Sequence, residues 1–303
     1  MTEVERIIQK GIVTEDFLRE EVRNDFLVTV ERKKLWAVIL DLVVEFDKVC
    51  KKHNLTYYLD GGSLLGAVRH NGFIPWDDDI DVTMPREDYE KFLRLGNEFE
   101  CPYFLQTPYS DSGYYYSFAR VRNSNTTALN QMFKYQGFNQ GVWISVFPLD
   151  KFPLDKGEEL YMKIRELALE NSTFMRMKNP YLSEADRKRV KEYSGRNPLI
   201  TYEEIQKLAS QYNNLETDYW GTIIITAVNY NRKTLLRKSY EKMVYHKFEN
   251  LLLPIPSGYD DVLSTEYGNY MELPPISERC AHSEEIHFDV NRSYLDYLKQ
   301  LLR

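Results

Sequence analysis

Cysteine is scarce in this sequence, with three residues among 303, at Cys50, Cys101 and Cys280. The three lie far apart, and no Cys-x-x-Cys pair occurs. This spacing excludes a disulfide framework and a cysteine-ligated zinc site as the basis of the fold. A reducing compartment, the cytoplasm, is therefore expected.

Long apolar runs and an excess of basic residues are also lacking. No stretch approaches the roughly 18 uncharged apolar residues of a membrane-spanning helix. Charges occur throughout residues 1–17, where a signal peptide would carry its apolar segment. Neither a membrane-spanning helix nor a signal peptide is therefore expected. Peripheral contact with the inner face of the membrane remains compatible with this sequence. Lys and Arg number 39 against 46 Asp and Glu, a net charge of −7 that argues against nucleic-acid binding.

The hydrophobic pattern predicts a chain that mixes helices and strands. Apolar residues recur at helical spacing over 28–53, whereas polar and apolar residues alternate over 79–84, as in a strand with one buried face. Further strands are predicted at 56–60, 103–108, 117–123 and 141–149, and further helices at 63–70, 86–99, 156–178, 201–215 and the C-terminus. A mixed α/β fold is therefore expected.

The densest chemical signal is the run 77–81, in which four of five residues are aspartates. Self-repulsion makes such a cluster costly unless a cation or solvent relieves it. Asp79 and Asp81 are two apart on the predicted strand, so their carboxylates leave the same face, with Cα atoms about 6.6–6.8 Å apart. Such a pair can bind a hard divalent cation, and Mg²⁺ or Mn²⁺ is expected.

A Gly-Gly-Ser turn, Gly61 to Ser63, lies upstream of the acidic run at the end of a predicted strand. The glycines let the backbone approach a bulky anion, and a helix that begins at Ser63 would direct its free N–H groups to the same place. Taken singly, the turn could be an ordinary strand-to-helix connection and the acidic run an exposed loop. Together they predict a site for a phosphate and a metal ion.

These residues resemble a known family. The segment YYLDGGSLLGAVRHNGFIPWDDDIDVTMPREDYEKF (57–92) is closely similar to the LicD/fukutin family, a branch of the nucleotidyltransferase-like superfamily. Weaker resemblance continues at 118–127, 141–150 and 244–275, with His282 beyond. Residues 151–240 show no resemblance on which a prediction can rest.

The resemblance implies an architecture. Residues 1–155 would form a catalytic core on a small nucleotidyltransferase-like mixed sheet flanked by helices, including an N-terminal helix. Residues 156–303 would form a mainly helical region that packs on the core and shapes the acceptor side. A single domain is the alternative, because no convincing linker divides the chain.

The resemblance also implies a reaction. Bacterial members transfer phosphocholine from CDP-choline to a teichoic acid or lipopolysaccharide precursor, and fukutin-type relatives transfer ribitol phosphate from CDP-ribitol. A metal-dependent transfer of a phospho-alcohol, with phosphocholine favoured, is therefore expected. A CDP-activated donor and a glycan or lipid-linked glycan acceptor would be the partners, and CMP would leave. A nucleotidyltransferase that uses an NTP is the alternative.

Carried onto this sequence, the family motif assigns roles residue by residue. Asp79 and Asp81 would be the catalytic metal ligands; Gly61, Gly62 and Ser63 would hold the diphosphate; and Arg69 would neutralise phosphate charge or brace the aspartates. Arg122, on a predicted strand, would either bind phosphate or lie on a solvated strand face. His282 is a substrate-binding candidate whose alternative is a structural role.

One position departs from the family pattern. Where the family usually has a third carboxylate on the strand within 141–150, this sequence has Ser145. A serine hydroxyl is a poorer ligand for a divalent cation than a carboxylate. The site could work with two carboxylates and Ser145 as a substrate contact. Alternatively, Asp150 or Asp77 could compensate, Asp150 being also a candidate base, or the chain could be an impaired homologue that binds nucleotide or glycan.

Overall fold

The computed structural model describes residues 1–193, 195–225, 230–280 and 286–301 and mixes helices with strands. Its helices are α1 (Glu3–Gln9), α2 (Val30–Lys52), α3 (Gly61–His70), α4 (Arg86–Phe92), α5 (Leu154–Arg176), α6 (Glu184–Glu192), α7 (Pro198–Ser210), α8 (Tyr259–Tyr267) and α9 (Tyr294–Leu301). Its strands are β1 (Glu21–Arg23), β2 (Phe26–Val28), β3 (Tyr58–Leu59), β4 (Asp81–Pro85), β5 (Tyr103–Gln106), β6 (Ala119–Asn123), β7 (Thr127–Asn130), β8 (Val142–Lys151), β9 (Tyr219–Gly221), β10 (Leu235–Leu236), β11 (Met243–Phe248), β12 (Leu251–Pro256) and β13 (Ile286–Asp289).

The central sheet is built around β8, whose ten residues are buried except for the last. Strand β4 pairs with β8 in parallel, and β6 pairs with β8 antiparallel on the other side. Strands β3 and β5 extend these two sides, which gives the order β5-β6-β8-β4-β3. Strands β9 and β10 continue from the C-terminal end of β8. The predicted mixed α/β fold is confirmed.

Helix α2 covers the sheet and holds the acidic loop. It begins after Thr29, whose side chain accepts a hydrogen bond from the backbone N–H of Arg32, as a helix cap should. The indole of Trp36 donates to the Asp77 carbonyl at 2.9 Å, and Arg32 donates to the same carbonyl at 3.0 Å. Because Trp36 is fully buried, this helix fixes the backbone of the loop that carries the aspartates.

The region after β8 contains more strand than the sequence predicts. Helices α5 and α7 agree with the predicted helices and pack over the end of β8 around Phe152 and Ile164. Strands β11 and β12, however, form a hairpin in register from Met243 with Pro256 to Phe248 with Leu251. The division of the chain after residue 155 stays a prediction.

The hairpin also supports the loop that follows α3. Its turn residue Glu249 donates its backbone N–H to the Asn71 carbonyl at 2.8 Å, and its carboxylate accepts from the N–H of Phe73 at 3.1 Å. Arg23 pairs with the same carboxylate at 2.6 Å. The segment between α3 and the acidic loop is therefore held by Glu249 of the hairpin, which is itself paired with Arg23 near the N-terminus.

Candidate active site

One cavity of about 920 Å³ gathers the residues that the sequence analysis singled out. Its volume lies within the range of small-molecule sites, roughly 300–1,000 Å³. The carboxylates that line it are Asp60, Asp77, Asp79, Asp81, Glu266, Glu272 and Glu278. Two cations, Arg69 and Lys233, lie among the described lining residues. When these acids are ionised the wall is negative, and it then suits a ligand or cofactor that brings positive charge.

The start of α3 forms one wall of the cavity. Helix α3 begins at Gly61, two residues before the predicted start, and Asp60 rather than Ser63 is the N-cap residue. Gly61 has a φ of +51°, in the left-handed region that glycine adopts without strain. A Cβ on Gly62 would lie 2.9 Å from the Asp77 carboxylate, so only glycine leaves room for that carboxylate.

Ser63 ties the helix to the acidic strand. Its hydroxyl oxygen accepts a hydrogen bond from the backbone N–H of Asp81 at 2.9 Å. The side chain is buried, so it does not face the cavity as a diphosphate ligand would. The structure therefore gives Ser63 a positioning contact, and the diphosphate role remains a prediction for the backbone of Gly61 and Gly62.

The acidic loop brings its carboxylates together. Oxygens of Asp77, Asp78 and Asp79 lie within 4.8 Å of one another. Asp77 and Asp79 line the large cavity together with Asp81, whereas Asp78 lines a smaller cavity beside Arg32. Carboxylate oxygens at this spacing match the ligands that hard divalent cations prefer. The cluster contains Asp79 but not Asp81. Its residues fit a divalent cation such as Mg²⁺ or Mn²⁺, and the pair of Asp79 and Asp81 as its ligands stays a prediction.

Electrostatics in this loop favour the protonated acids until a cation is bound. Burial and the neighbouring charge of Asp78 raise the pKa of Asp77 to about 7. Burial together with the charges of Asp77 and Asp78 raises the pKa of Asp79 well above its ordinary value. Burial, Asp79 and Asp60 do the same for the pKa of Asp81. Binding of a divalent cation would release these protons, so affinity should increase with pH.

Ser145 lies beside Asp81 on the neighbouring strand. The two residues are register partners in the parallel pairing of β4 with β8. The Ser145 side chain is buried, and its interaction with the Asp81 carboxylate opposes the rise in the pKa of Asp81. Serine at this position therefore supports an aspartate instead of adding a third negative charge.

Arg120 occupies the next strand, opposite Ser145 in the pairing of β6 with β8. Its guanidinium lies 4.4 Å from the ring centre of Trp143 and 5.0 Å from that of Tyr116. Its charge lowers the pKa of Asp79, and its Nε is buried without a hydrogen-bond partner. The arginine thus balances part of the acidic cluster from beyond the cavity lining.

A buried lysine from a distant segment enters the same cavity. Lys233 lies 2.7 Å from the Glu266 carboxylate and 3.4 Å from that of Asp60. Burial opposes its charge, but Asp60 and Glu266 outweigh this and raise the pKa of Lys233. The cation is therefore retained in the wall of the cavity.

Arg69 is held at the mouth of the cavity. It donates to the Tyr270 carbonyl at 2.8 Å and to the Glu272 carbonyl at 3.2 Å, while its Nε donates to His70. These contacts aim the guanidinium across the segment after α8 and not at the aspartates. The bracing role predicted for Arg69 has no direct contact in the structure, and the phosphate role remains compatible with its place in the lining.

Two other predicted residues lie away from the cavity. Arg122 is buried, neither solvated nor open to a phosphate, and it hydrogen-bonds to Gln106 and to the Gly141 carbonyl. Asp150 is fully buried and accepts two hydrogen bonds from Arg86, at 2.7 and 2.5 Å. Neither contact leaves the group free for substrate. His282 falls outside the described residues.

Three cavity residues were not identified from the sequence. Asp60 directly precedes Gly61, and its place next to the Gly-Gly-Ser turn could have indicated that it lines the cavity. Lys233 comes from a segment with no motif, and Glu266 lies in the weakly similar block 244–275 without standing out there. Only the fold brings the two residues to Asp60. Their contact depends on pairing over long sequence distances, which residue spacing does not encode.

Comparison with known proteins finds a matching family and several similar chains. Residues 54–151 match the family described as LicD/FKTN/FKRP, nucleotidyltransferase domain. The lipopolysaccharide cholinephosphotransferase LicD of Haemophilus influenzae is 25% identical over 251 residues, which cover 81% of this chain and 93% of that protein. The human ribitol 5-phosphate transferase FKRP is 50% identical over 40 residues, which cover 13% of this chain and 8% of that protein. An uncharacterized protein of Rickettsia prowazekii is 29% identical over 116 residues, covering 38% of this chain and 40% of that protein.

Proposed function

We propose that this protein, whose residues 54–151 form a nucleotidyltransferase domain of the LicD/FKTN/FKRP family, transfers a phospho-alcohol from a CDP-activated donor to a glycan hydroxyl. Phosphocholine is the favoured group, CMP is the leaving product, and Mg²⁺ or Mn²⁺ is the cofactor. The acceptor is a teichoic acid or lipopolysaccharide precursor, free or lipid-linked. The similarity to LicD over most of both chains supports a transferase of this class.

A single observation carries the proposal: the glycine-led start of α3 and the carboxylates of Asp77, Asp79 and Asp81 face one cavity. The free N–H groups at a helix start favour an anion such as a diphosphate. The carboxylates favour a hard cation, which needs phosphate oxygens to complete its ligands. A nucleotide diphosphate with a divalent cation would match both, because the diphosphate suits the helix start and the cation suits the carboxylates.

In this mechanism the residues of the chain bind and orient the donor. The backbone at Gly61 and Gly62 receives the diphosphate, and Arg69 adds positive charge at the mouth. Asp79 and Asp81 would hold the cation, and Ser145 would orient Asp81. A bound divalent cation supplies Lewis-acid polarisation of the donor phosphate and offsets charge on the leaving group.

Calorimetric titration tests the proposal. CDP-choline, CDP-ribitol, CDP-glycerol and CTP would each be added with and without Mg²⁺ to the wild type and to Asp79→Ala. We expect metal-dependent binding of one CDP-alcohol, lost in the variant, followed by CMP release when a glycan acceptor is added. Preference for CTP with release of pyrophosphate would indicate nucleotidyl transfer instead. No metal-dependent binding of any compound would reject the proposal.

Ser145 favours a second candidate, a homologue with impaired catalysis that binds nucleotide or glycan. The test is Ser145→Asp, which restores the carboxylate found in the family. A higher turnover in this variant would identify the wild type as a weakened enzyme. Unchanged or lower turnover would show that serine belongs to a working site.

Peripheral contact with the cytoplasmic membrane is part of the proposal, since a lipid-linked acceptor would be presented there. No helix in the part of the chain that the structure describes is both long and apolar enough to cross a membrane. Sedimentation with vesicles that carry the lipid-linked acceptor would test such contact.

A further inference from the structure

The two oxygens of the Asp60 carboxylate have different surroundings. Oδ2 lies 3.4 Å from the Lys233 ammonium. Oδ1 is buried and has no hydrogen-bond partner, although the residue is only 1% exposed. A buried carboxylate oxygen without a partner is unfavourable, and native proteins rarely leave one unless a ligand, ion or water completes it.

The lysine does not account for the whole charge of Asp60. Its ammonium lies closer to Glu266, at 2.7 Å, than to Asp60. The lysine contacts only Oδ2 of Asp60, so Oδ1 remains able to bind a further cation.

The sheet places Asp60 directly beside Asp81. Leu59 pairs with Val82, and the Asp60 backbone N–H donates to the Asp81 carbonyl at 3.0 Å. Asp60 and Asp81 line the same cavity, and the charge of Asp60 reaches the Asp81 carboxylate. Ser145 is the neighbour of Asp81 on the opposite side. The missing carboxylate on β8 thus has a counterpart on the other flank of Asp81.

We propose that Asp60 supplies the third carboxylate oxygen to the divalent cation of this site, where Ser145 supplies none. The proposal rests on the metal-dependent function proposed above. It assigns the compensating role to Asp60 and not to Asp150, whose two oxygens are occupied by Arg86. Lys233 then positions the Asp60 carboxylate through its other oxygen.

The experiment is a titration of Mn²⁺ alone, without nucleotide, followed by electron paramagnetic resonance of the free ion. The proteins are the wild type, Asp81→Asn, Asp60→Asn and the control Asp47→Asn. Asp47 is a partly buried carboxylate that pairs with Lys51 and does not line the cavity, so its variant loses the same charge elsewhere. We expect at least tenfold weaker Mn²⁺ binding for Asp60→Asn and Asp81→Asn, and an unchanged value for Asp47→Asn.

The outcomes separate the two proposals. If the wild type does not bind Mn²⁺, or Asp81→Asn binds as tightly as the wild type, the metal-dependent function itself fails. If Asp81→Asn loses binding while Asp60→Asn stays within twofold of the wild type, only the role of Asp60 is overturned. Melting temperatures with and without Mg²⁺, compared within each protein, keep any loss of stability apart from the loss of metal binding.

Lys233→Met gives a second test if Asp60→Asn does not fold. A ligand role predicts tighter Mn²⁺ binding in this variant, because a competing cation beside Asp60 is removed. A purely structural role, in which Asp60 serves only to pair with Lys233, predicts unchanged Mn²⁺ affinity. That second result would overturn the proposal.

Discussion

The buried pair of Arg86 and Asp150 allows a decisive test of whether Asp150 is chemical or structural. Both side chains are nearly or fully buried, and two hydrogen bonds of 2.7 and 2.5 Å join them. Asn213 also donates to Asp150, at 2.7 Å, and Gln206 accepts from Arg86, at 2.7 Å. Removing one partner leaves an uncompensated buried charge, which typically costs about 3–5 kcal/mol.

We therefore expect Asp150→Leu to lower the free energy of unfolding by about 3–5 kcal/mol. At about 2–4 °C per kcal/mol, the melting temperature should fall by roughly 10 °C. Arg86→Met should cost a similar amount. The double variant should lose much less than the sum, because no buried charge is left alone, and the coupling energy should reach about 3 kcal/mol.

Urea unfolding of the wild type, the two single variants and the double variant gives the coupling energy. Mg²⁺-dependent binding of the donor then shows whether the cavity still functions in each variant. A folded Asp150→Asn should keep its donor affinity and turnover within about twofold. The reasoning would be refuted if Asp150→Asn kept full stability and lost turnover by 10²-fold or more, as loss of a general base would cause. Additive single effects in the cycle would equally contradict the structural role.

Three further predictions concern the groups around the cavity. Gly62→Ala should weaken metal-dependent donor binding because the new Cβ meets the Asp77 carboxylate, whereas Gly96→Ala, whose Cβ meets nothing within 4 Å, should bind normally in the same calorimetric assay; equal affinities would exclude the steric argument. Trp36→Phe should cost about 1–3 kcal/mol in urea unfolding and also weaken Mg²⁺ binding, because the Asp77 carbonyl loses its indole donor; unchanged Mg²⁺ affinity would show that the loop holds its shape without this bond. Burial, with the charges of Arg69 and Arg23, lowers the pKa of His70 to about 4. Between about pH 6.5 and 4 the unfolded chain therefore binds a proton at His70 that the folded chain does not, so the free energy of unfolding should fall as pH drops through this range. Urea unfolding at pH 7.5 and 5 should show a smaller fall for His70→Gln, and parallel curves for both proteins would contradict this account.

The parts of the site that local pattern predicts are those whose partners are close in sequence. Asp81 lies at the start of β4, as strand alternation predicts, whereas Asp79 lies in the loop before β4 and not on the strand predicted over 79–84. Both aspartates line the cavity, together with Gly61 and Gly62 of the strand-to-helix turn. The start of α3 was placed two residues late because Ser63, a typical cap residue, bonds to Asp81 instead. A side chain's preference for a cap does not reveal that a neighbouring strand competes for it.

Features that depend on contacts between distant parts of the chain could not be predicted from the sequence. The sequence pattern placed Arg122 on a strand, but it could not show that Gln106 and Gly141 would enclose the guanidinium. The hairpin of β11 and β12 was missed because Pro254 and Pro256 disfavour a strand prediction. Lys233 reaches Asp60 across 173 residues, a contact that no local rule supplies.

Residues at one register level cross the central sheet from edge to edge: Gln106, Arg120, Ser145, Asp81 and Asp60. Neighbouring strands keep a spacing of about 4.8 Å whatever their side chains are. An exchange at one of these five positions therefore changes the charge of the row without moving its neighbours. The number of carboxylates in this row, two in this chain, can therefore change by a single substitution while the backbone pairing stays the same.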